Sequence, residues 1–213
     1  QQAAQAFQNV QRHAPSDEML HALYYGVTAF HAGDYAESAR ALDIAAYIAD
    51  ERMTKSLSRA ALSIVSNDLV LDYEPSRTER LMIPYYAALA RLRMGDTDGA
   101  AVEARRLSLL LQRLDDERTP LDATLRATLR YVAGAVFEAA GEYEDAGVAY
   151  RNAAALDSTL ALPDDAWTRE HGTVVVVLEQ GFVTHRVEQD VNVWLLPEEV
   201  DAIAHGNGES RAA

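Results

Sequence analysis

Gly33-Asp34-Tyr35-Ala36-Glu37-Ser38 and Gly141-Glu142-Tyr143-Glu144-Asp145-Ala146 are two copies of one pattern: a glycine, an acid, a tyrosine and, three positions on, a small residue. Apolar residues at helical spacing flank both copies, which places each glycine between two helices. Glycine suits the left-handed cap that ends a helix, because it has no Cβ to clash there. Outward from the first turn, Tyr25, Gly26 and Phe30 lie on the helix before it, and Ser38, Leu42 and Ala45 on the helix after it. Around the second turn, Gly134 and Phe137 precede and Ala146, Tyr150 and Ala153 follow, so a small residue again faces a large one across the hairpin. A weaker middle copy runs through Ala88, Gly95-Asp96, Ala100, Ala104 and Leu107, with Thr97 in place of the tyrosine.

This pattern is that of a tetratricopeptide-type helical hairpin, and three such hairpins are about the minimum for a stable stack. The spacing is irregular. Gly33 to Gly95 is 62 residues and Gly95 to Gly141 is 46, against ~34 in a regular array. Residues 51–66 keep apolar spacing at Met53, Leu57, Ala61, Ile64 and Val65, so the first return helix runs on by several turns or a second helix follows it. The fold expected is mostly α: an irregular tetratricopeptide-like stack of about three hairpins over residues 1–156.

Local signals place the helix ends. Residues 1–13 carry Ala3, Phe7 and Val10 and read as a lead-in helix, and Ser16-Asp17-Glu18 starts the next. Ser76-Arg77-Thr78-Glu79 fits a capping box. Pro84 should kink the helix that follows or divide it into a short and a long piece. Thr119-Pro120 offers an N-cap and a first-turn proline for the helix ending near Gly141. Six principal helices result.

After Leu156 the texture changes. Residues 157–171 contain Pro163 and several Asp and read as a connector. Residues 172–204 read as a β appendage or the start of a larger domain, with a buried strand at Thr173–Leu178. A second strand covers Val187–Leu195, where Val187, Val191, Val193 and Leu195 share a face. A lone strand pair is marginal in water, so this short C-terminal pair needs the helices, another chain or a further β domain. Residues 205–213 read as a disordered tail.

The chain has 213 residues, formal charge −14 and no cysteine. Length allows one sizeable core. The acidic balance argues against nucleic acid, whose phosphates require a basic surface. No disulfide or thiolate metal site is possible, and the longest apolar run is too short to span a membrane as a helix. Residues 77–130 are an exception to the acidity, holding 10 Arg against 8 acidic residues. Arg77, Arg80, Arg91, Arg93, Arg105, Arg106 and Arg113 there read either as solvated faces paired with acidic neighbours or as a docking surface for an acidic partner. The first residue is Gln, which suggests that an N-terminal segment such as an export signal precedes it.

Several segments in order carry a resemblance: Asn67-Asp68, Tyr73-Glu74, Glu79-Arg80 and Tyr85-Tyr86; Gly95-Asp96 with Val102-Glu103-Ala104-Arg105-Arg106; Gly141 to Ala146; and Val175 to Val183, which contains Glu179-Gln180-Gly181-Phe182. Over residues 20–195 the chain resembles the bacterial tetratricopeptide-containing envelope lipoproteins. The resemblance implies export, an N-terminal lipid anchor, location in the cell envelope or periplasm, and a further C-terminal β region. It implies no activity and no catalytic residue. The chain departs from the pattern in carrying neither the anchoring cysteine nor the signal.

The residues offer little chemistry. Of six histidines only His21 and His31 share a hairpin, and ten residues on a straight helix keep them too far apart for one ion. Asp115-Asp116-Glu117 and Asp164-Asp165 lack a calcium-loop context. No nucleophile elbow or phosphate loop occurs. The expectation is therefore no catalytic residue, no metal and no cofactor. Binding scaffolds of this type use the first helix of each hairpin, and counting from the glycines gives Leu23, Val27 and His31; Tyr85, Leu89 and Arg93; and Tyr131, Ala135 and Glu138. Tyr85 and Tyr131 are the anchors if exposed and core if not. Arg91 joins them on the cationic hairpin. Glu179 and Gln180 either end a strand or contact a partner.

The function expected is a non-enzymatic scaffold of the bacterial envelope that holds a peptide or partner protein in a concave helical groove. Two other readings stand beside it: a structural subunit that oligomerises through edge strands, and the helical part of an enzyme whose catalytic domain lies elsewhere.

Overall fold

Gly33, Gly95 and Gly141 have φ of 83°, 80° and 79°, and each ends the first helix of a hairpin. The computed structural model describes residues 18–59, 73–118, 121–160 and 174–179. Six helices lie among them: α1 Glu18–His31, α2 Tyr35–Arg59, α3 Arg77–Arg93, α4 Thr97–Asp116, α5 Ala123–Ala139 and α6 Tyr143–Leu156. The chain divides into two compact units, residues 1–175 and 176–213, and all six helices belong to the first.

The three turns are one structure repeated. Asp34 N–H donates to Ala29 O and Gly33 N–H to Phe30 O; the same pairs recur as Asp96 to Arg91 with Gly95 to Leu92, and as Glu142 to Phe137 with Gly141 to Glu138, at 2.9 and 3.0 Å each time. This double bond onto the last helical turn satisfies carbonyls that would otherwise lack partners. The middle turn, weakest in sequence, is identical in geometry. In two of the turns the acid after the glycine also caps the return helix, Asp34 accepting from Glu37 N–H at 3.3 Å and Asp96 from Gly99 N–H at 2.9 Å. Glu142 makes no such cap.

Across two hairpins a glycine meets a large side chain. A Cβ on Gly26 would lie 2.7 Å from Leu42 Cγ, and one on Gly134 would lie 2.8 Å from the Tyr150 ring. The small-on-large pairing read from the sequence is thus present in the first and third hairpins. Each helix packs on its successor, and the first helices also meet one another, α1 with α3 and α3 with α5. One core joins α3 to α6 around Leu81, Leu107, Leu111, Leu129 and Phe137. A smaller one joins α1, α2 and α3 around Met19, Leu42 and Ile83.

Several expectations about boundaries are settled here. Ser76 and Glu79 form the capping box, Glu79 N–H donating to Ser76 Oγ at 3.2 Å and Ser76 N–H to Glu79 Oε2 at 2.7 Å. Pro84 does not divide α3, which runs from Arg77 to Arg93 with the proline inside it. Helix α2 does run on, as far as Arg59. Helix α5 begins at Ala123, capped by Asp122, whose side chain accepts from Leu125 N–H at 2.8 Å. Asp122 takes the capping role expected of Thr119, because its carboxylate reaches the free N–H groups of the turn; residues 119–120 lie outside the described residues.

The β appendage is corrected where it can be seen. Residues 174–179 form no strand, and Val174, Val176 and Leu178 are 87, 85 and 76% exposed, so this run is not a buried strand. Intrinsic β preference needs a partner strand and a covering face to be expressed, and no described residue supplies them. The lead-in helix, the second strand and the tail fall outside the described residues.

Candidate functional site

Burial along the first helices marks one side as open. On α3 the partly exposed Met82, Tyr86 and Leu89 and the exposed Arg93 are spaced four, three and four apart, and on α5 the partly exposed Thr128, Tyr131, Ala135 and Glu138 are spaced three, four and three apart. Tyr24, Val27 and His31 continue it on α1. Because α1 meets α3 and α3 meets α5, these rows lie on neighbouring helices.

Most of the residues expected on this face are there: Val27, His31, Leu89, Arg93, Tyr131, Ala135 and Glu138. Two are not. Leu23 and Tyr85 are each 4% exposed and belong to the cores. One residue turns a helix by about 100°, so a shift of one carries a side chain off the face. Tyr86, and not Tyr85, is the half-exposed tyrosine of α3, and Tyr24 is the exposed residue beside Leu23. Counting back from Arg93 through Leu89 reaches 85 at a spacing of four and 86 at three, and both are helical neighbours.

An aromatic cluster occupies the end of this face where α1, α2 and α3 converge. The Tyr86 ring centroid lies 5.2 Å from Phe30 and 5.7 Å from His31; Phe30 lies 5.6 Å from Tyr35. The Arg93 guanidinium carbon sits 4.9 Å over the Tyr35 ring. The hairpin turn builds the cluster: Gly33 brings Phe30 and His31 at the end of α1 next to Tyr35 at the start of α2. On α5, Tyr131 lies 4.8 Å from Tyr150, whose hydroxyl donates to Glu138 Oε2 at 2.8 Å. Burial, then the neighbouring Glu138 carboxylate, raises the pKa of both hydroxyls, so both are neutral donors at ordinary pH.

The arginines divide sharply. Arg91 binds both oxygens of Asp43 at 2.7 and 2.9 Å, and its guanidinium also lies 3.6 Å from Asp96 and 4.0 Å from Glu103. Arg106 reaches the same Glu103 at 3.4 Å and Asp50 at 3.9 Å. Burial raises the pKa of Glu103, with Arg106 and Arg91 opposing the rise. Arg105 pairs with Glu142 at 2.5 Å, Arg80 with Glu74 at 2.7 Å, and Arg126 and Arg130 grip opposite oxygens of Asp115. These pairs join α2 to α3, α4 to the third turn, and α4 to α5; of the seven arginines named from the sequence, Arg80, Arg91, Arg105 and Arg106 are paired with carboxylates. Arg91, picked as a docking residue, is thus tied into the fold.

Other picks carry less. Glu179 is exposed, and Gln180 lies outside the described residues. His21 is buried with Nδ1 unpartnered, away from the exposed His31. No group of three metal-ligating side chains occurs among the described residues. The depression of about 560 Å³ at the start of α3, lined by Glu74, Ser76, Arg77 and Arg80, is wide open. No helix among the described residues is long and apolar enough to cross a membrane. Comparison with known proteins finds no matching family model, no matching curated protein and no matching solved structure.

Proposed function

We propose that the helices are an irregular tetratricopeptide-like stack of three hairpins and that the protein is a non-enzymatic scaffold, holding a peptide or partner protein against the open face of α1, α3 and α5. The observation that carries this reading is the row of half-exposed aromatic and apolar side chains, Val27, Tyr86, Leu89 and Tyr131, on first helices that each end in the same turn. Tyrosines with an apolar body and a polar tip are favoured anchors of protein interfaces. The polar clusters of the fold, around Glu103 and Asp115, are engaged in internal pairing, which leaves binding rather than chemistry to the open face. Envelope location and a lipid anchor rest on the resemblance to envelope lipoproteins alone.

The test is a pull-down from bacterial envelope extract with the chain and with a Tyr86→Ala, Leu89→Ser double variant of preserved helix content. A partner retained by the first and lost by the second is the expected result; equal recovery from both removes the reading. One observation favours a second reading. The exposed apolar run Val174–Leu178 is suited to edge pairing between copies, and light scattering that finds a strict monomer at high concentration excludes it.

A further inference from the structure

We infer that the occupant of the open face is an acidic peptide segment, its carboxylate taken by Arg93 and an adjacent large apolar side chain seated on Tyr86 and Leu89. The inference rests on the scaffold reading above and names the chemistry of its ligand.

Arg93 differs from the paired arginines around it; Arg77 and Arg113 are likewise exposed and without an ion pair among the described residues, but Arg93 also lies over a ring. Arg80, Arg91, Arg105, Arg106, Arg126 and Arg130 are each paired with a carboxylate. Arg93 is exposed and makes no ion pair among the described residues. Its guanidinium carbon lies 4.9 Å over the Tyr35 ring. A cation–π contact positions the guanidinium without giving its N–H donors a carboxylate, so they remain available for a forked bond to one. Two carboxylates close by in the chain are otherwise engaged: Asp96, three residues after Arg93, caps α4 and faces Arg91, and Asp34, which precedes Tyr35, caps α2.

The apolar half of the site adjoins it. Leu89 is about one helical turn from Arg93, and Tyr86 about one turn further, so successive Cβ atoms of the three are separated by about 5–6 Å. That spacing matches neighbouring side chains of one extended or helical peptide. Phe30 and His31 flank Tyr86 and complete the wall. Charge selects the ligand: although the chain as a whole carries a net charge of −14, the Arg93 guanidinium beside half-exposed rings gives an acidic segment local attraction on this face. A basic peptide, which the net charge would otherwise draw, is turned away from this position by Arg93.

The experiment uses the full chain and an array of short synthetic peptides in four classes: acidic with Phe or Leu, the same with Asn and Gln replacing the acids, basic with Phe or Leu, and acidic with only Gly and Ser. Retention of the first class, with Arg93→Gln weakening it about tenfold or more, Arg93→Lys recovering part, and Arg113→Gln having no effect, is the result expected. Thermal midpoints of the variants, read alongside, must stay within a few degrees for the comparison to count as support; a variant that binds weakly because it is unfolded is replaced by Tyr35→Leu, which removes the stacking face and should give a smaller loss of the same selectivity. Retention of apolar peptides whatever their charge, unaltered by Arg93→Gln, overturns this inference and leaves the scaffold reading standing. Retention of no class overturns both.

Discussion

Gly134 and the ring of Tyr150 touch so closely across the third hairpin that a Cβ on the glycine would fall 2.8 Å from both Cδ1 and Cε1. The ring has little room to retreat: it is 2% exposed, and its hydroxyl is held by Glu138. Alanine in a helix interior gains about 1 kcal/mol over glycine, while overpacking a core costs about 1–3 kcal/mol. The second effect should win, so Gly134→Ala is expected to lower stability by about 1 kcal/mol. Gly26→Ala, aimed at Leu42 Cγ, should behave alike. Urea unfolding gives the answer through a lower midpoint at constant slope; a raised midpoint in both variants would show that helix propensity prevails and that the pairing is loose.

The turn glycines are constrained for another reason. Nothing lies within 4 Å of a Cβ built on Gly95, but its φ is +80°. Alanine there meets backbone strain of about 1–2 kcal/mol, whereas asparagine visits that region more readily. Gly95→Ala should therefore destabilise more than Gly95→Asn. The order of their thermal midpoints checks it, and equal losses would point to a role for space rather than backbone.

These two kinds of glycine explain why the hairpins were legible in sequence. A fixed offset from turn glycine to packing glycine, Gly26 to Gly33 and Gly134 to Gly141, is local information, and a helix propagates it without reference to the rest of the chain. The site was less legible. Periodicity alone does not choose between Tyr85 and Tyr86, because residues three and four apart are both neighbours on a helix; the core around Leu81 and Leu107 makes the choice. Arg91 finds Asp43 across 48 positions of sequence, and no local pattern announces that. The β-branched run at 174–178 misled for a related reason, since a strand is defined by a partner and none lies among the described residues.

Glu103 offers a test of the Arg91 cluster through pH. Its folded-state pKa is raised, by burial first, with Arg106 and Arg91 pulling the other way. Between the ordinary carboxylate value and the raised one, the folded state binds more protons than the unfolded state, so the contribution of this group to stability falls as pH rises through that window and is level above it. Glu103→Gln should remove that fall, and its stability relative to the parent should grow with pH across the window. Arg91→Ala takes away one of the opposing charges and should steepen it, while also costing about 2 kcal/mol by stranding Glu103 and Asp43, a figure kept below that of a fully buried pair because the Asp43 end is exposed. Urea unfolding of the three proteins across acidic to neutral pH reads both effects. A difference between Glu103→Gln and the parent that stays constant with pH would contradict the account.

The adjacent tyrosines of α3 separate folding from binding. Tyr85 is 4% exposed and packs in the larger core, 5.0 Å from its neighbour's ring. Removing such a side chain leaves a cavity and costs about 3–5 kcal/mol. Tyr86 is half-exposed and borders both cores, so its truncation forfeits only part of that burial, about 1–2 kcal/mol. Tyr85→Ala should therefore lower the thermal midpoint the more, while any ligand bound at the open face should be lost with Tyr86→Ala at temperatures where that variant is fully folded. Tyr86→Phe keeps the ring and its contacts with Phe30 and His31 and should keep stability. If Tyr85→Ala proved the milder of the two in unfolding, the assignment of Tyr85 to the core and Tyr86 to the face would have to be reversed, and with it the position of the apolar wall beside Arg93.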